Sequence, residues 1–346
     1  MHLSSTFCSK AWSDVNIDFA HRSVRHCCKS EGESMPTPLT IDFFNASAGI
    51  LDRRRALLAG EEHPACEHCW ESYRNTGTAY RDYYNTGKIL PLKFVEVKLD
   101  NLCDMTCQYC DARSSHSIGK KQGIKQPVFQ ADKQDYDIFL DWLQTINEPY
   151  TLSFLGGEVT YSKNFQRFAE RMLQTLQHQE MFIAIMTNAN SQAPQLARFF
   201  DLIERFPQHW RTIVVISNES TGPDAEHARQ GLVWERFESN VREYFANTRL
   251  EFIGLCPTLS TLTVDTFDRY IHWLGELARE YNRQLYITGN SVNNGLLSLI
   301  HCPAEKQHLV DHWHNMFCYY KDNITNLDDV LQWLEHIRKE IISNAV

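Results

Sequence analysis

The chain has 346 residues, of which 43% are hydrophobic and 22% are charged, as in ordinary globular proteins. This composition excludes disordered, collagen-like and coiled-coil chains. No stretch approaches the ~18–20 consecutive apolar residues of a membrane span, and residues 1–18 lack the apolar core of a signal peptide. We therefore expect a cytoplasmic protein without a membrane partner. The net charge of −9 disfavours a nucleic-acid partner.

Strands and helices are predicted to alternate from about residue 94 onward. Six predicted strands share apolar alternation or short β-branched runs, at 93–99, 152–155, 182–186, 213–216, 250–255 and 285–287. Helical spacing falls between them, at about 136–146, 165–176, 194–205, 234–245 and 264–281. This order predicts an α/β fold with a parallel sheet. We expect a partial (β/α)6 barrel, although an open sheet would have the same periodicity.

The segments on either side of this region differ from it. Residues 1–88 hold five cysteines, few strand signals and several aromatic residues. We expect them to form a small cysteine-rich domain that depends on metal for its order. The α/β domain then covers 89–300. A C-terminal helical extension covers 301–346, with a predicted helix at 327–342.

The eleven cysteines are the outlying feature of the composition. An odd count without an export signal is more typical of metal binding than of a disulfide framework. Cys103, Cys107 and Cys110 follow the first predicted strand with the spacing C-x3-C-x2-C. Three thiolates on one loop can hold three corners of a cubane iron–sulfur cluster and leave the fourth iron open for chemistry. The alternatives are a zinc site completed by His116, or three unligated thiols.

This motif, with Tyr109 before its third cysteine, resembles the CxxxCxxC motif of radical SAM enzymes. The run 156–159, Gly-Gly-Glu-Val, resembles the GGEP motif of that family, with Val159 where proline is usual. The run 187–189, Thr-Asn-Ala, is similar to its TNG element, with Ala189 where glycine is usual. The resemblance covers about residues 93–290.

The resemblance implies that the three cysteines bind a [4Fe–4S] cluster whose open iron is chelated by S-adenosylmethionine. The other residues implied at this site are Gly156, Gly157 and Glu158 for the methionyl amino group, Tyr109 for the adenine, and Thr187, Asn188 and Ser217 near the ribose and methionyl end. One electron would then cleave the sulfonium, and a 5′-deoxyadenosyl radical would abstract hydrogen from a substrate. A one-electron donor such as flavodoxin or ferredoxin is implied as a partner.

A second group of cysteines lies near the N-terminus: Cys8, Cys27, Cys28, Cys66 and Cys69. Their pattern suits zinc, with His63 or His68 as alternative ligands, or an iron–sulfur cluster; unligated thiols are the third alternative. The segment resembles the auxiliary-cluster segment of twitch and SPASM radical SAM proteins, placed before the barrel. That likeness implies that Cys8, Cys27, Cys66 and Cys69 hold a second [4Fe–4S] cluster. Cys28 would be spare, or would exchange with Cys27, and Arg22 stands where glycine is usual.

Cys256 follows the fifth predicted strand, where a thiol facing the barrel mouth would return a hydrogen atom to a substrate radical. The alternative is a buried small side chain. We expect a radical SAM oxidoreductase or radical-transfer enzyme, acting on a small molecule or peptide by oxidation, epimerisation or rearrangement. The alternatives are a non-catalytic zinc-binding interaction protein and an RNA-modifying radical SAM enzyme.

Overall fold

The computed structural model describes residues 4–77, 79–130, 132–292 and 295–342. Its strands are β1 (Asp14–Asp18), β2 (Ser23–Arg25), β3 (Glu33–Ser34), β4 (Phe94–Lys98), β5 (Tyr150–Leu155), β6 (Met181–Thr187), β7 (Trp210–Ile216), β8 (Ile253–Leu255), β9 (Thr258–Leu259), β10 (Leu285–Ile287) and β11 (Asn290–Ser291). Its α-helices are α1 (Lys10–Ser13), α2 (Ile41–Ala46), α3 (Ala48–Ala59), α4 (Glu67–Thr76), α5 (Tyr80–Tyr84), α6 (His116–Lys121), α7 (Lys133–Gln144), α8 (Lys163–Thr175), α9 (Ala193–Glu204), α10 (Gly222–Ala228), α11 (Trp234–Ala246), α12 (Phe267–Glu280), α13 (Gln307–Tyr319) and α14 (Leu327–Ile342).

The main sheet has nine strands in the order β10-β8-β7-β6-β5-β4-β1-β2-β3. The strands from β10 to β1 run parallel to their neighbours, and β2 and β3 continue the sheet antiparallel. The predicted α/β class, with a largely parallel sheet, is confirmed. The partial barrel stays a prediction, because the strand order gives the pairing of the strands and not the curvature of the sheet.

The N-terminal segment contributes its strands to this same sheet. Strand β1 pairs in register with β4, from Asp14 opposite Phe94 to Asp18 opposite Lys98. The division of the chain into a domain of residues 1–88 and the α/β domain stays a prediction. Strand β1 was not predicted from the sequence, because only two of its five residues, Val15 and Ile17, are apolar.

The two faces of the sheet differ in chemistry, since successive side chains of a strand point to opposite faces. On one face, residues such as Val15, Val97 and Ile183 belong to the large core. The other face, which we call the inner face, carries one register row of Arg25, Asn16, Glu96, Ser153, Ala184 and Ile213. The row is polar from β2 to β5 and apolar at β6 and β7.

Several helices depart from the predicted pattern. Helix α6 lies between the first predicted strand and the first predicted helix, and α10 was not predicted, whereas α13 lies within the predicted C-terminal helical extension. Helix α14 spans the predicted residues. Within the described ranges, every helix is too short or too polar to cross a membrane.

Candidate functional site

The three-cysteine loop leaves the carboxyl end of β4 and is held by hydrogen bonds from its own chain. The side-chain amide of Asn101 donates to the carbonyls of Ala112 (2.9 Å) and Pro127 (2.8 Å). Nδ1 of His116 accepts from the amide of Cys103 at 3.1 Å. His116, the alternative zinc ligand, therefore uses this nitrogen to hold the loop backbone.

The thiols of the loop lie in different environments. Cys103 and Cys107 are buried, whereas Cys110 is exposed. Burial raises the pKa of Cys103, and a hydrogen bond between Cys107 and Cys110 raises the pKa of Cys107 and lowers that of Cys110. Within the described residues, no three His, Cys, Asp or Glu side chains are grouped so as to hold a metal ion.

The glycine pair after β5 lies directly against the backbone that leads into the cysteine loop. The amide of Gly157 donates to the carbonyl of Asp100 (3.2 Å), and the amide of Glu158 donates to that of Leu102 (2.7 Å). A Cβ on Gly156 would lie 2.9 Å from the Asp100 oxygen, and one on Gly157 would overlap the Leu102 carbonyl. Glycine is required at both positions because the two segments approach so closely.

The carboxylate of Glu158 is buried and surrounded by donors. Oε1 accepts from the Thr160 amide (3.0 Å), the Thr160 hydroxyl (2.6 Å) and the Thr187 hydroxyl (2.8 Å). Oε2 accepts from the Asn188 amide at 2.6 Å. Burial raises the pKa of this carboxyl, against these hydrogen bonds. The side chain is thus directed at its own chain, and its expected contact with a ligand ammonium stays a prediction.

The Thr187–Asn188–Ala189 motif lies at the carboxyl end of β6, beside Glu158 and the cysteine loop. Thr187 accepts a backbone hydrogen bond from Ser217 at 2.9 Å, next to the end of β7. The side-chain amide of Asn188 reaches Asp104 of the cysteine loop at 3.4 Å. Ala189 has a left-handed backbone, with φ of +53°. The structure therefore brings all three sequence motifs together at one edge of the sheet.

Tyr109 lies within a buried charged group that the sequence did not predict. Its hydroxyl donates to Glu219 at 2.8 Å. Glu219 is paired with Arg229 at 2.6 Å, and the Arg229 guanidinium lies 5.4 Å from the centre of the Tyr109 ring. Burial raises the pKa of Tyr109. The available signal was the polar run 217–220 after a predicted strand, a place where α/β proteins carry functional residues.

The N-terminal cysteines surround a separate cavity of about 450 Å³. Four cysteines are among its lining residues: Cys8, Cys27, Cys66 and Cys69. Cys28 is exposed, and its thiol donates to the Tyr80 hydroxyl at 3.4 Å. Burial raises the pKa of Cys66 to about 11. His63, an alternative zinc ligand, instead accepts from the Ala65 amide at 3.2 Å.

Basic side chains border this cavity as well. Arg53, Arg81 and Lys29 are among its lining residues, and so is His26, whose pKa burial lowers to about 3 so that its ring is neutral. Neither ring nitrogen of the buried His26 makes a regular hydrogen bond within the described chain, although the main chain of Asp14 lies near the ring. Neighbouring cations stabilise thiolates, which are the forms of cysteine that bind metal. Four thiols with cationic neighbours have the donor chemistry of an iron–sulfur site, although the described side chains are not gathered into a metal-binding group.

Cys256 follows β8, on the inner face of the sheet. It belongs to an apolar cluster with Ala184, Ile213 and Val215, and it is buried. Its sulfur accepts a hydrogen bond from the side-chain amide of Asn290 at 3.1 Å. Burial raises the pKa of the thiol. The position agrees with the expected small buried side chain, and the hydrogen-donor role stays a prediction.

Comparisons with known proteins give only distant likenesses. No protein-family model matches the chain, and no curated protein matches its sequence. Among solved structures, SuiB of Streptococcus suis is 13% identical, over 66% of this chain and 47% of SuiB, with a TM-score of 0.44. The complex of SuiB with S-adenosylmethionine is 12% identical, over 65% and 44% of the two chains, with a TM-score of 0.37.

A structure of TYW1 with a lysine-pyruvate adduct bound is also similar, at 13% identity over 64% of this chain and 70% of TYW1, with a TM-score of 0.35. The match to SuiB spans less than half the length of that protein. At these values, the comparisons assign neither a family nor a ligand to this chain.

Proposed function

We propose that this chain is a radical SAM enzyme, which cleaves S-adenosylmethionine reductively and abstracts hydrogen from a substrate. One observation carries the proposal: three motifs far apart in sequence meet at one edge of the sheet. Glu158 is the common partner, since its amide donates to Leu102 and its carboxylate accepts from Thr187 and Asn188. Parallel α/β folds place their active sites at this carboxyl edge.

The backbone at two departures from the family motifs supports the resemblance independently. Among the described residues, the non-glycine residues with left-handed backbone are Arg22, Ala189 and Asn282. Arg22 and Ala189 are the two positions at which glycine is usual in the motifs that this chain resembles. A left-handed conformation favours glycine because it has no Cβ. Left-handed backbone at these two positions supports the resemblance to those motifs.

Each group of residues has a distinct part in the proposed mechanism. Cys103, Cys107 and Cys110 would hold a [4Fe–4S] cluster, which when bound supplies the electron that cleaves the sulfonium of S-adenosylmethionine. Glu158 fixes the backbone beside the cysteine loop through its hydrogen bonds to Thr160, Thr187 and Asn188. The buried Glu219–Arg229 pair orients the Tyr109 ring.

We further propose that Cys8, Cys27, Cys66 and Cys69 hold a second, auxiliary [4Fe–4S] cluster. The shared cavity and its cationic lining support this assignment. A cluster with four cysteine ligands has no open iron, so its role would be electron transfer or structure. Cys27 is favoured over Cys28 because only Cys27 lines the cavity.

The reaction outcome and the partners belong to the same proposal. A small molecule or peptide is the substrate, and flavodoxin or ferredoxin in the cytoplasm is the electron donor. Oxidation would pass an electron from the substrate radical to the auxiliary cluster. Epimerisation would instead take a hydrogen atom from Cys256, whose position on the inner face supports that role.

The decisive experiment is to reconstitute the protein anaerobically with iron and sulfide, reduce it with dithionite, and add S-adenosylmethionine. We expect a brown protein that absorbs near ~400 nm and forms 5′-deoxyadenosine. The variant with Cys103, Cys107 and Cys110 all changed to alanine should form none, while Cys302→Ala should retain the activity. A folded, colourless protein that binds zinc and forms no 5′-deoxyadenosine would overturn the proposal and favour a zinc-binding interaction protein.

A further inference from the structure

A carboxylate without a partner lies on the inner face of β4. Glu96 is half-buried, and its side chain makes no hydrogen bond or ion pair with any residue that the structure describes. Arg25 and Lys10 are near enough to act on its charge, yet neither pairs with it. A partly buried, ionised carboxyl group destabilises the folded protein unless it is paired with a hydrogen-bond donor or a cation. Burial, with the nearby Cys28, raises its pKa to about 8.

The neighbouring position in the same row is also unsatisfied. Asn16 pairs in register with Glu96 on one side and with Arg25 on the other. Asn16 is only 6% exposed, and its Oδ1 has no hydrogen-bond partner in the described chain. Arg25, half-buried on β2, likewise makes no side-chain hydrogen bond or ion pair with the described residues. A guanidinium, an amide oxygen and a carboxylate thus stand in one row without partners.

The spacing of this row leaves a gap between its two charged ends. Neighbouring strands lie about 4.8 Å apart, so the backbones at Arg25 and Glu96 are separated by about 10 Å. The two side chains do not close that gap with an ion pair of their own. A ligand that carries a negative and a positive group close together would satisfy both ends. Its ammonium would also satisfy Asn16 Oδ1, which can only accept a hydrogen bond.

We propose that the Arg25–Asn16–Glu96 row binds the zwitterionic end of a free α-amino acid, with the ligand carboxylate on Arg25 and the ligand ammonium on Asn16 and Glu96. This inference rests on the proposed function, because it names the substrate class for that enzyme.

The rest of the row indicates what side chain the amino acid carries. Beyond Glu96, the row continues through Ser153 to Ala184 and Ile213. The latter two belong to the apolar cluster that contains Cys256. An amino acid anchored at Glu96 would lay its side chain over this apolar surface. The ligand is therefore an amino acid with an apolar or aromatic side chain.

The position of the row suits a substrate of the proposed reaction. Lys98, two residues after Glu96 on the same face, lies within electrostatic range of Cys110. Glu96 itself lies within electrostatic range of Cys28, beside the second cysteine group. Two positions on one strand are separated by about 7 Å. A ligand held at Glu96 would lie between the two cysteine sites.

The test is calorimetric titration of the anaerobically reconstituted full chain with L-leucine, L-methionine, L-phenylalanine and L-tyrosine. We expect at least one to bind, and its N-acetyl derivative and its amide each to bind at least tenfold more weakly, because each lacks one charged group. Glu96→Gln and Arg25→Gln should each weaken binding of the parent amino acid by about tenfold or more. Arg211→Gln, on the same face but paired with Glu251, should leave binding unchanged.

The outcomes separate this inference from the proposed function. If none of the four amino acids binds below about 10 mM, or if the N-acetyl and amide derivatives bind as tightly as the parent, the zwitterion site is wrong. This holds even when 5′-deoxyadenosine is formed. If an amino acid binds and both variants weaken it, the site stands, even when S-adenosylmethionine is not cleaved and the proposed function fails. The derivative series needs no variant, so a misfolded Glu96→Gln protein would not prevent a decision.

Discussion

The amide of Asn188 donates a 2.6 Å hydrogen bond to the buried carboxylate of Glu158, joining the end of β6 to the turn after β5. Asn188 also reaches Asp104 in the cysteine loop. The turn, the strand end and the loop are therefore held as one unit. A change at Glu158 should act on all three.

Glu158→Gln should destabilise the protein by about 1–3 kcal/mol, because one oxygen becomes an NH₂ group that faces donors and leaves them unsatisfied. Urea unfolding at neutral pH measures the loss. Glu170→Gln, on an exposed pair with Arg205, is the matched control and should change stability by less than about 1 kcal/mol. Equal stability of both variants would mean that the Glu158 network contributes nothing.

Ala189 provides a test of the left-handed backbone at the third motif. Ala189→Gly relieves the Cβ strain but loses a buried methyl group, so stability should change by less than about 1 kcal/mol. Ala189→Val places a β-branched side chain in the same conformation and in a packed site, and should cost about 3 kcal/mol. Thermal unfolding compares the two variants. A valine variant as stable as the glycine variant would contradict the conformation.

Glu96 should make stability depend on pH in a predictable direction. Burial raises its folded pKa to about 8, among Cys28, Arg25, Lys10 and Asp14. The neutral form is thus favoured in the folded state, and the stability it contributes is present below pH ~4.5 and lost as the pH rises through about 8. Glu96→Gln should match the unchanged protein near pH 4.5 and exceed it by on the order of 2 kcal/mol near pH 8.5.

Urea unfolding of both proteins across this pH range measures the Glu96 effect as a difference, so that other titrating groups cancel. Glu170→Gln again serves as the control and should show a flat difference. A difference that is constant with pH would mean that Glu96 ionises normally in the folded protein.

Iron content should distinguish the two adjacent cysteines of the N-terminal group. Cys27 lines the cavity and Cys28 does not. We expect about eight irons per chain after reconstitution, about four in Cys27→Ser, and about eight in Cys28→Ser. Iron analysis and electron paramagnetic resonance measure this. A loss confined to Cys28→Ser would reverse the ligand assignment.

Substitution of Cys66 and Cys69 tests the redox role of the same group. If the auxiliary cluster accepts an electron from the substrate radical, the double serine variant should still form 5′-deoxyadenosine but not oxidised product. Unchanged product turnover in a folded variant would reject that role. The two cysteines lie in the cavity away from the three-cysteine loop, so the first cluster should remain.

Cys256→Ser tests the hydrogen-donor hypothesis. In deuterated solvent, an exchangeable thiol would deliver deuterium to the product, whereas a serine hydroxyl holds its hydrogen too strongly to donate it. We expect deuterium incorporation to be lost in Cys256→Ser and retained in Cys302→Ser, a matched change at another buried cysteine. Retention in both variants would reject the role of Cys256.

The sequence was sufficient to predict the alternating strands and helices of the α/β region. Apolar alternation at Val95 and Val97 predicted β4, and the cysteine spacing, the Gly156–Gly157 pair and Thr187–Asn188 predicted positions that the structure brings together. These signals are local, because each follows directly from a strand end. The order of the three motifs along the chain is also their order along the sheet.

Interactions between distant segments were not predictable in the same way. Glu219 and Arg229 are ten residues apart and separately look like surface charges, yet they form a buried pair against Tyr109. Glu158 likewise accepts hydrogen bonds from Thr187 and Asn188 at the end of the next strand, and its expected contact with a ligand stays a prediction. These hydrogen-bond and ion-pair partners depend on which loops lie next to one another in the fold. The periodicity of the sequence does not predict that.

The register of β1 beside β4 has a consequence for how the molecule can move. Backbone hydrogen bonds along a shared strand border join the start of the chain to the strand that carries Glu96 and Lys98. The spacing of β1 and β4 is thus set by a ladder of hydrogen bonds between their peptide groups, whereas the cysteines themselves lie on segments outside these two strands. Any change in the separation of the two cysteine groups would therefore have to come from those segments and not from the sheet.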